Sequence, residues 1–587
     1  MKRLLRVLGA GVSGVALAMC FVPFDQAWLV WGWLWLLLPL LWTVPEKWRR
    51  LRGFGLGWIA GMAFWLINLK WLGTVTGPGV VALSVYLSLY FGIFGIFAAG
   101  AGNPWRREYR VTRTIRDRLR ESTRSLGYAA VLAGLWCGLE WLRGWVMTGF
   151  GWNGLGVAFA KNLVLAQNAE FIGVIGLSFL PVFMSVVAVQ TARRFYRQFQ
   201  SNEVKMLHWD FASALVVIML SFTAGTLRLS SATNTPKIEG RVLLVQQDIP
   251  QIAAQPTWED ERVVNGFFEL TGAGLDAANE AVARALVEAA GAGEEEVFDE
   301  IRTPDLVVWP ETCLPSGHFS FWMREDAGSQ GGPLLESYLE QVVAMGDFDF
   351  ILGANEVREL GEDELEFYNS MVIEAKGRER TSSQKRHLVI LGEYIPDLPF
   401  LLDLYKDATG AEQFTNLSAG ESDEPLQVEL DGREVGVIPS ICFEDTVGRL
   451  TRRSVREGAQ MIVNITNDGW FQESEGAAQH YRNALFRCIE LRRPMVRCAN
   501  RGVTGVVSVT GSLVDPFTGE KRHLVDENGS HFHRGYLLAS VYVPAEGQIT
   551  LYARYGDWFA VTGLVAALVW GLASLIAGWR KKGRATT

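Results

Sequence analysis

The sequence predicts two architectures in one chain: a multi-span α-helical membrane domain of about eight helices, and an α/β domain on its outer face. Three observations carry this. Apolar residues are segregated, with 1–230 and 555–580 rich in Leu, Trp, Phe and Gly, while 235–550 has the composition of a soluble domain. Lys and Arg crowd alternate loops of the apolar half. Short apolar runs of strand length recur between 236 and 545. A chain of 587 residues is in any case too long for one ordinary domain.

Crossing the hydrocarbon core takes roughly 20 apolar residues as a helix. Stretches of that kind lie at 4–22, 27–44, 54–72, 79–101, 127–147, 168–192, 211–229 and 557–578. Positive charge orients them. It gathers in EKWRRLR (46–52), WRREYRVTRTIRDRLRESTR (105–124), ARRFYRQ (192–198) and the tail WRKKGRATT. The intervening loops, 24–26, 73–79 and 148–167, hold only Lys161. Both termini are therefore expected inside and residues 230–556 outside. The start MKRLLRVLGAGVSGVALAMC resembles a signal peptide. Met19 is large for a position before a cleavage site and another helix follows at once, so the first helix is expected to stay. Gly57 and Gly61 form GxxxG, a helix-packing signal. Glu140 and Arg143, three apart in an apolar stretch, read either as a functional pair or as a structural one flanked by interfacial Trp141, Trp145 and Trp152.

The expected domains are a seven-helix membrane domain (1–230), an outer domain (236–548), a last helix (557–578) and a basic tail (579–587). Strand-like runs in the outer domain are 240–247, 305–311, 349–355, 369–375, 434–442, 459–467, 494–509 and 536–543. Several are apolar without alternation, as strands covered on both faces are. Helical stretches such as SVREGAQ and HYRNALFRCIELRR separate some of them, which makes the class α/β. Residues 273–300 read as an acidic amphipathic helix and loop inserted between the first two strands, a solvated decoration. The net charge of −8 argues against nucleic-acid partners. Six cysteines form no CxxC and no ligand spacing, so neither a disulfide framework, a metal nor a cofactor is predicted.

Three strand ends carry reactive residues: VVWPETCLP with Glu311, SSQKRHLVILGEYIP with Lys385 and Glu393, and PSICFEDTVG with Cys442. Ends of neighbouring strands converge in α/β domains. The three residue types are complementary. A carboxylate accepts the thiol proton, and a lysine lowers the thiol pKa and stabilises the oxyanion formed when sulfur attacks a carbonyl. A thioester and a second acceptor would follow. On its own, each residue reads as ordinary core or surface.

The order Glu, Lys, Cys resembles the nitrilase, or carbon-nitrogen hydrolase, superfamily. VQQDIPQ (245–251), VVWPETCLP (307–315), KRHLVILGEYIP (385–396), ICFED (441–445), NITNDGWF (464–471) and RRPMVRCANRGVTGVVSVTG (492–511) occur in that order. With GLEWLRGWVMTGFGW (138–152) in the membrane half, nearly the whole chain resembles the bacterial apolipoprotein N-acyltransferase family. The resemblance implies an αββα sandwich, with Glu311 as general base, Lys385 stabilising the intermediate and Cys442 carrying the acyl group. Glu393 would orient the lysine. Glu444, Asn369, Phe443 and Trp258 match positions near the pocket or its loop. Phe443 stands where the family usually has Tyr, and Asp248 where it usually has Asn.

The same resemblance implies a phospholipid acyl donor, a diacylglyceryl-modified apolipoprotein acceptor, and a monomer in the bacterial inner membrane with its catalytic domain on the periplasmic face. NDGWF (467–471) and HFSFW (318–322) are candidate lid residues or interface anchors. The rival readings are a membrane-tethered amidase or nitrilase that uses water as acceptor, and a transporter or sensor with an outer binding domain. Ser382–Lys385 also fits S-x-x-K, yet no SDN or KTG partner is present and a strand-like run follows where that motif opens a helix.

Overall fold

The structure is a computed structural model that describes residues 1–106, 114–201, 208–235, 237–251, 260–292, 303–313, 332–359, 365–375, 377–397, 402, 406 and 416–585. The chain divides into two compact units, Met1–Ser230 with Tyr555–Thr587, and Ser231–Arg554.

The first unit is helical: α1 (Lys2–Ala18), α2 (Leu34–Trp42), α3 (Arg49–Asn68), α4 (Gly77–Ala99), α5 (Ile115–Arg143), α6 (Leu163–Ala166), α7 (Ala169–Leu177), α8 (Phe179–Ser201), α9 (Trp209–Ser231) and a last helix, Trp558–Ala585. Among the described residues α4, α5, α9 and the last helix are long and apolar enough to cross a membrane. The α7–α8 pair, bent by 59°, makes a fifth if it is one span. The sequence expectation of eight is thus met by four or five on length and composition. The shortfall has local causes. α1 is 17 residues long and opens with Lys2, Arg3 and Arg6. Stretch 27–44 breaks into a 3-10 turn (Ala27–Trp31) and nine-residue α2. α3 spends its first turn on Arg49, Arg50 and Arg52. α3 and α4 pack backbone to backbone: a Cβ on Gly57 would lie 2.2 Å from the Phe91 carbonyl oxygen, which only glycine avoids.

The second unit is a two-sheet sandwich. Its strands are β1 (Lys237–Gln246), β2 (Leu306–Val308), β3 (Asp349–Glu359), β4 (Leu365–Ala375), β5 (Thr381–Gln384), β6 (Leu426–Leu430), β7 (Arg433–Ile441), β8 (Met461–Thr466), β9 (Met495–Ala499), β10 (Gly505–Val507) and β11 (Gly535–Pro544). One sheet runs β11-β1-β2-β3-β4-β5 and the other β10-β9-β8-β7-β6. The central pairs β1–β2, β2–β3, β7–β8 and β8–β9 are parallel. Alternate residues of β1 enter different cores, as the two-residue period of a strand requires. Val242 and Leu244 meet Val437, Val463 and Val496 between the sheets. Leu243 and Val245 face outward, where Val264 and Phe267 of α10 (Asp260–Ala292) and Leu339 of α11 (Gly332–Val343) cover them. On the other flank the helix Gly448–Arg456 packs against β7 and the helix Glu475–Leu491 packs on it.

Two expectations change here. The run 494–509 is not one strand but the antiparallel pair β9–β10. Residues 273–300 are not a free-standing decoration as far as they are described. α10 begins at Asp260 and forms an outer layer of the sandwich, with Leu275 and Ala278 buried in it. A long acidic helix reads as solvated from charge, but its apolar stripe is what the sheet needs. Residues 293–300 lie outside the described residues.

Candidate active site

Glu311 lies three residues beyond β2, in a turn with Thr312 at φ +46°. The preceding Trp309 is buried, stacked on Phe267 of α10 at 4.7 Å and hydrogen-bonded through its indole N–H to Thr271, 3.0 Å away. The turn also leans on β3. A Cβ on Gly353 would sit 2.6 Å from the Glu311 Cα, so glycine there lets the two segments approach. Lys385 follows β5 directly, its N–H bonded to the Asn369 carbonyl (2.7 Å) and its carbonyl accepting from Gly420 (2.8 Å). Cys442 is the first residue after β7 and takes a left-handed backbone, φ +51°. Only about a few per cent of non-glycine residues do so, and such strain gathers at functional sites. Of the six cysteines, all free, Cys442 alone is not fully buried.

The side chains meet. Lys385, 1% exposed, places Nζ 2.6 Å from Glu393 Oε1 and 3.2 Å from Glu311 Oε1. Asn369 donates to the same two oxygens, at 2.8 Å to Glu311 and 3.3 Å to Glu393. The other Glu311 oxygen accepts the Asn467 backbone N–H at 2.9 Å. Glu393 is held from behind by the Val389 N–H, 2.8 Å away. Glu311 and Lys385 come from one sheet and Cys442 from the other, so the site forms where strand ends of two facing sheets meet. The strand ends converge as the sequence suggested, but β2, β5 and β7 are not neighbours within a sheet.

Electrostatics separates the roles these groups can take. Burial alone would lower the Lys385 ammonium, but Glu311 and Glu393 outweigh it and hold the lysine well above its usual range. Lys385 is therefore a fixed cation and not a base. Burial pushes the Cys442 thiol well above the ordinary range, Glu311 adds to this, and Lys385 with a hydrogen bond to Thr466 offsets only part. At rest the sulfur carries its proton. Two carboxylates against one ammonium leave a surplus negative charge, and a thiolate would add a second. Moving the thiol proton to Glu311 leaves the cluster's charge unchanged.

Glu444 is placed differently from a pocket-lining residue. One oxygen accepts the N–H groups of Arg386 (2.6 Å) and His387 (3.0 Å), and the other accepts that of Ile441 (2.9 Å). It clamps the segment after Lys385 to the turn that holds Cys442. Burial raises its pKa, and Arg386 partly offsets this. Phe443 stacks on His387 at 6.0 Å, and burial first, then Arg449, lowers that imidazole to about 4, so it is neutral. NDGWF divides: Asn467 and Asp468 are buried structural members, while Trp470 is exposed. Asp248 pairs with Arg501 at 2.8 Å. Trp258 and HFSFW lie outside the described residues.

A second charge cluster behind Cys442 was not foreseen. His480 Nδ1 lies 2.6 Å from Asp468 and Nε2 lies 3.0 Å from Asp445. Arg497 pairs with Asp445, approaches Asp468 at 3.1 Å and donates to Asn464 at 2.6 Å. Asn464 in turn donates to the Cys442 carbonyl at 3.3 Å, and Thr466 links the Cys442 thiol to Asp468. All four charged members are buried. Burial alone would lower His480, but Asp445 and Asp468 raise it to about 9, so it is an imidazolium at neutral pH. Asp445, Asp468 and Arg497 each stand within a quoted motif, but nothing in the sequence joins those motifs to one another. His480 comes from a helix with no separate signal. Among the described residues no group of His, Cys, Asp and Glu has a metal-holding arrangement.

Comparison with known proteins agrees with this layout. Residues 13–187 match the apolipoprotein N-acyltransferase N-terminal domain family, and residues 273–561 match the carbon-nitrogen hydrolase family. The apolipoprotein N-acyltransferase of Geobacter metallireducens is 29% identical over 96% of this chain and 94% of its own length. That of Shewanella oneidensis is 26% identical over 98% and 96%. Among solved structures, an amidase from Nesterenkonia sp. AN1 covers 55% of this chain and 95% of its own, at 14% identity and a TM-score of 0.30. Saccharomyces cerevisiae Nit3 covers 53% and 92%, at 17% identity and 0.29. One of the two matched families spans much of the helical unit and the other most of the sandwich, and the relatives match from end to end. The chain belongs to the apolipoprotein N-acyltransferase family.

Proposed function

We propose that the chain moves a fatty acyl group from a phospholipid to the α-amino group of a diacylglyceryl-cysteine at a lipoprotein N-terminus, through a thioester on Cys442. The observation that carries this is the buried Glu311–Lys385–Glu393 cluster beside a half-buried, backbone-strained cysteine, in a chain with four or five membrane-length helices. In the first step the Cys442 sulfur attacks the ester carbonyl while its proton passes to Glu311. The ammonium of Lys385 stabilises the oxyanion. As the C–O bond breaks, Glu311 returns the proton to the leaving oxygen and lysophospholipid departs. In the second step the amine attacks the thioester and Glu311 takes the proton. The C–S bond breaks, and the proton ends on sulfur.

In this reading Glu393 and Asn369 hold the lysine and the base, Glu444 holds the two loops in register, and exposed Trp470 belongs to a cover that keeps water from the thioester. With those lipid substrates, this reading has the enzyme working in a bacterial inner membrane. The alternation of basic loops supports eight spans, including α1, the 27–44 stretch and α3, with both termini inside and the sandwich on the periplasmic face.

The test is incubation of the membrane-embedded protein with acyl-labelled phospholipid. A hydroxylamine-sensitive adduct is expected, absent in Cys442→Ser. An equal adduct in that variant rules the mechanism out. A thioester that only water discharges assigns the chain to the hydrolase reading instead.

A further inference from the structure

Two groups of buried polar side chains take no part in the steps proposed so far. In the helical unit Glu140 accepts from the Trp136 indole at 2.9 Å, the Leu155 N–H at 2.8 Å and the Ser178 hydroxyl at 2.6 Å, while Arg143 lies over the Trp65 ring at 4.8 Å. Those bonds tie a helix to later segments and make Glu140 a brace. The cluster behind Cys442 differs, because it reaches the reacting sulfur through Thr466. β7 and β8 are parallel with Ile441 opposite Ile465, so the next residues, Cys442 and Thr466, leave the sheet side by side, at about the 4.7–4.9 Å spacing of neighbouring strands. Thr466 is fully buried, and its hydroxyl hydrogen-bonds the Cys442 sulfur. The same hydroxyl lies 3.3 Å from Asp468 Oδ1, an oxygen that His480 Nδ1 already holds at 2.6 Å. Arg497 holds the other Asp468 oxygen at 3.1 Å. The Thr466 hydroxyl thus has one proton and two acceptors, and Asp468 is the acceptor that needs it less.

We propose that Thr466 is a further catalytic residue: its hydroxyl donates to Asp468 while the sulfur is a thiol, and turns to donate to the sulfur whenever that atom is a thiolate. This happens twice per turnover, as the sulfur attacks the ester and as it leaves the thioester. No bond breaks at Thr466. Its proton stays on oxygen and only the O–H direction changes, while His480 and Arg497 keep Asp468 satisfied. Hydrogen bonds to a charged acceptor are the stronger ones, so the proton follows the charge as it appears on sulfur. A neutral donor also leaves the net charge around the sulfur as it was, and so does not trap the thiolate as a resting state. The timing rests on the thioester reading above; the hydrogen bond does not.

The experiment compares the full chain in nanodiscs with Thr466→Val, which keeps the shape without the hydroxyl, Thr466→Ala, which removes it without bulk, and Thr466→Ser, which keeps it. Alkylation of Cys442 by iodoacetamide is followed from pH 7 to 9 with Cys442→Ser as background, the other five cysteines being buried. Losing a hydrogen bond to the thiolate shifts the thiol up by about one pH unit. A more basic thiolate is also the better nucleophile, so alkylation should slow about threefold in Thr466→Val and Thr466→Ala. Acyl-adduct formation from labelled phospholipid should fall about tenfold in both. Thr466→Ser should match the unaltered chain in both rates. Undiminished alkylation in both Thr466→Val and Thr466→Ala overturns the proposal, and so does Thr466→Ser behaving as Thr466→Val does. A lower thermal midpoint with both rates intact leaves Thr466 a structural role only. If the unaltered chain forms no adduct at all, the thioester reading fails, and the alkylation rates still decide whether this hydroxyl serves the sulfur.

Discussion

The sandwich buries two charge clusters within reach of one sulfur, and they are built to opposite rules. Behind Cys442, two carboxylates (Asp445, Asp468) face two cations (His480, Arg497), all buried. In front, Glu311 and Glu393 share one lysine. The rear cluster is balanced when His480 is protonated, so it has no reason to exchange a proton during the reaction. The front cluster carries a surplus carboxylate, which in the proposed mechanism lets Glu311 take up the thiol proton. The proposed mechanism therefore assigns geometry to the balanced network and proton transfer to the unbalanced one.

The sharpest way to break the contrast is Glu311→Gln, which removes the surplus. Acyl-adduct formation should fall by about 10²–10⁴. The same change should speed alkylation of Cys442 by iodoacetamide at neutral pH, because Glu311 is one of the groups that raise the thiol. Slower alkylation, or an unchanged adduct rate, would contradict the proton route.

Next comes Arg497→Met, which leaves the buried Asp445 and Asp468 with His480 as their one remaining cation in the cluster. Breaking a buried pair costs about 3–5 kcal/mol, read as a lower thermal midpoint of the full-length protein. A loss of activity at full stability would place the rear cluster in the chemistry after all.

His480 allows the balance to be titrated. Its folded pKa is about 9 against an ordinary 6.5, so its contribution is complete below pH 6.5 and is lost as pH rises through 9. The full effect is on the order of 3 kcal/mol. Thermal midpoints measured from pH 6 to 9.5 should fall across that window, and His480→Gln should flatten the slope. A rising profile would contradict the imidazolium.

The smallest expected effect is that of Phe443→Tyr. The ring stacks on a neutral His387 and only a hydroxyl is added, so adduct rates should stay within about twofold. A much larger gain would show that the missing hydroxyl matters to the site.

What the sequence disclosed follows from where its signals are local. Glu311, Lys385 and Cys442 each end a run of apolar residues, and apolar runs mark buried strands without knowledge of partners. β5 (Thr381–Gln384) is four polar residues at a sheet edge, with no pattern to find. β6 was missed although Asp431 and Gly432, both at positive φ, are the Asp-Gly turn that joins it to β7. The rear cluster draws on residues 52 positions apart, from Asp445 to Arg497, and it takes the pairing of β9 with β8 and the packing of the helix Glu475–Leu491 on the turns at 442–446 and 468–471 to assemble it. Charge at 273–300 suggested solvent because sequence does not say which sheet an amphipathic helix will cover. Glu140 and Arg143 were legible as unusual residues, but their separate fates depend on Ser178 and Leu155, supplied by later segments.

The origin of the site in two facing sheets has a consequence for the newly made chain. A sheet folded alone holds either the base and lysine or the sulfur, never both. Until the sheets dock, Cys442 has neither Glu311 nor Lys385 beside it. Reactivity is therefore the last property the chain acquires, and recovery of thioester formation after unfolding reports closure of the sandwich itself.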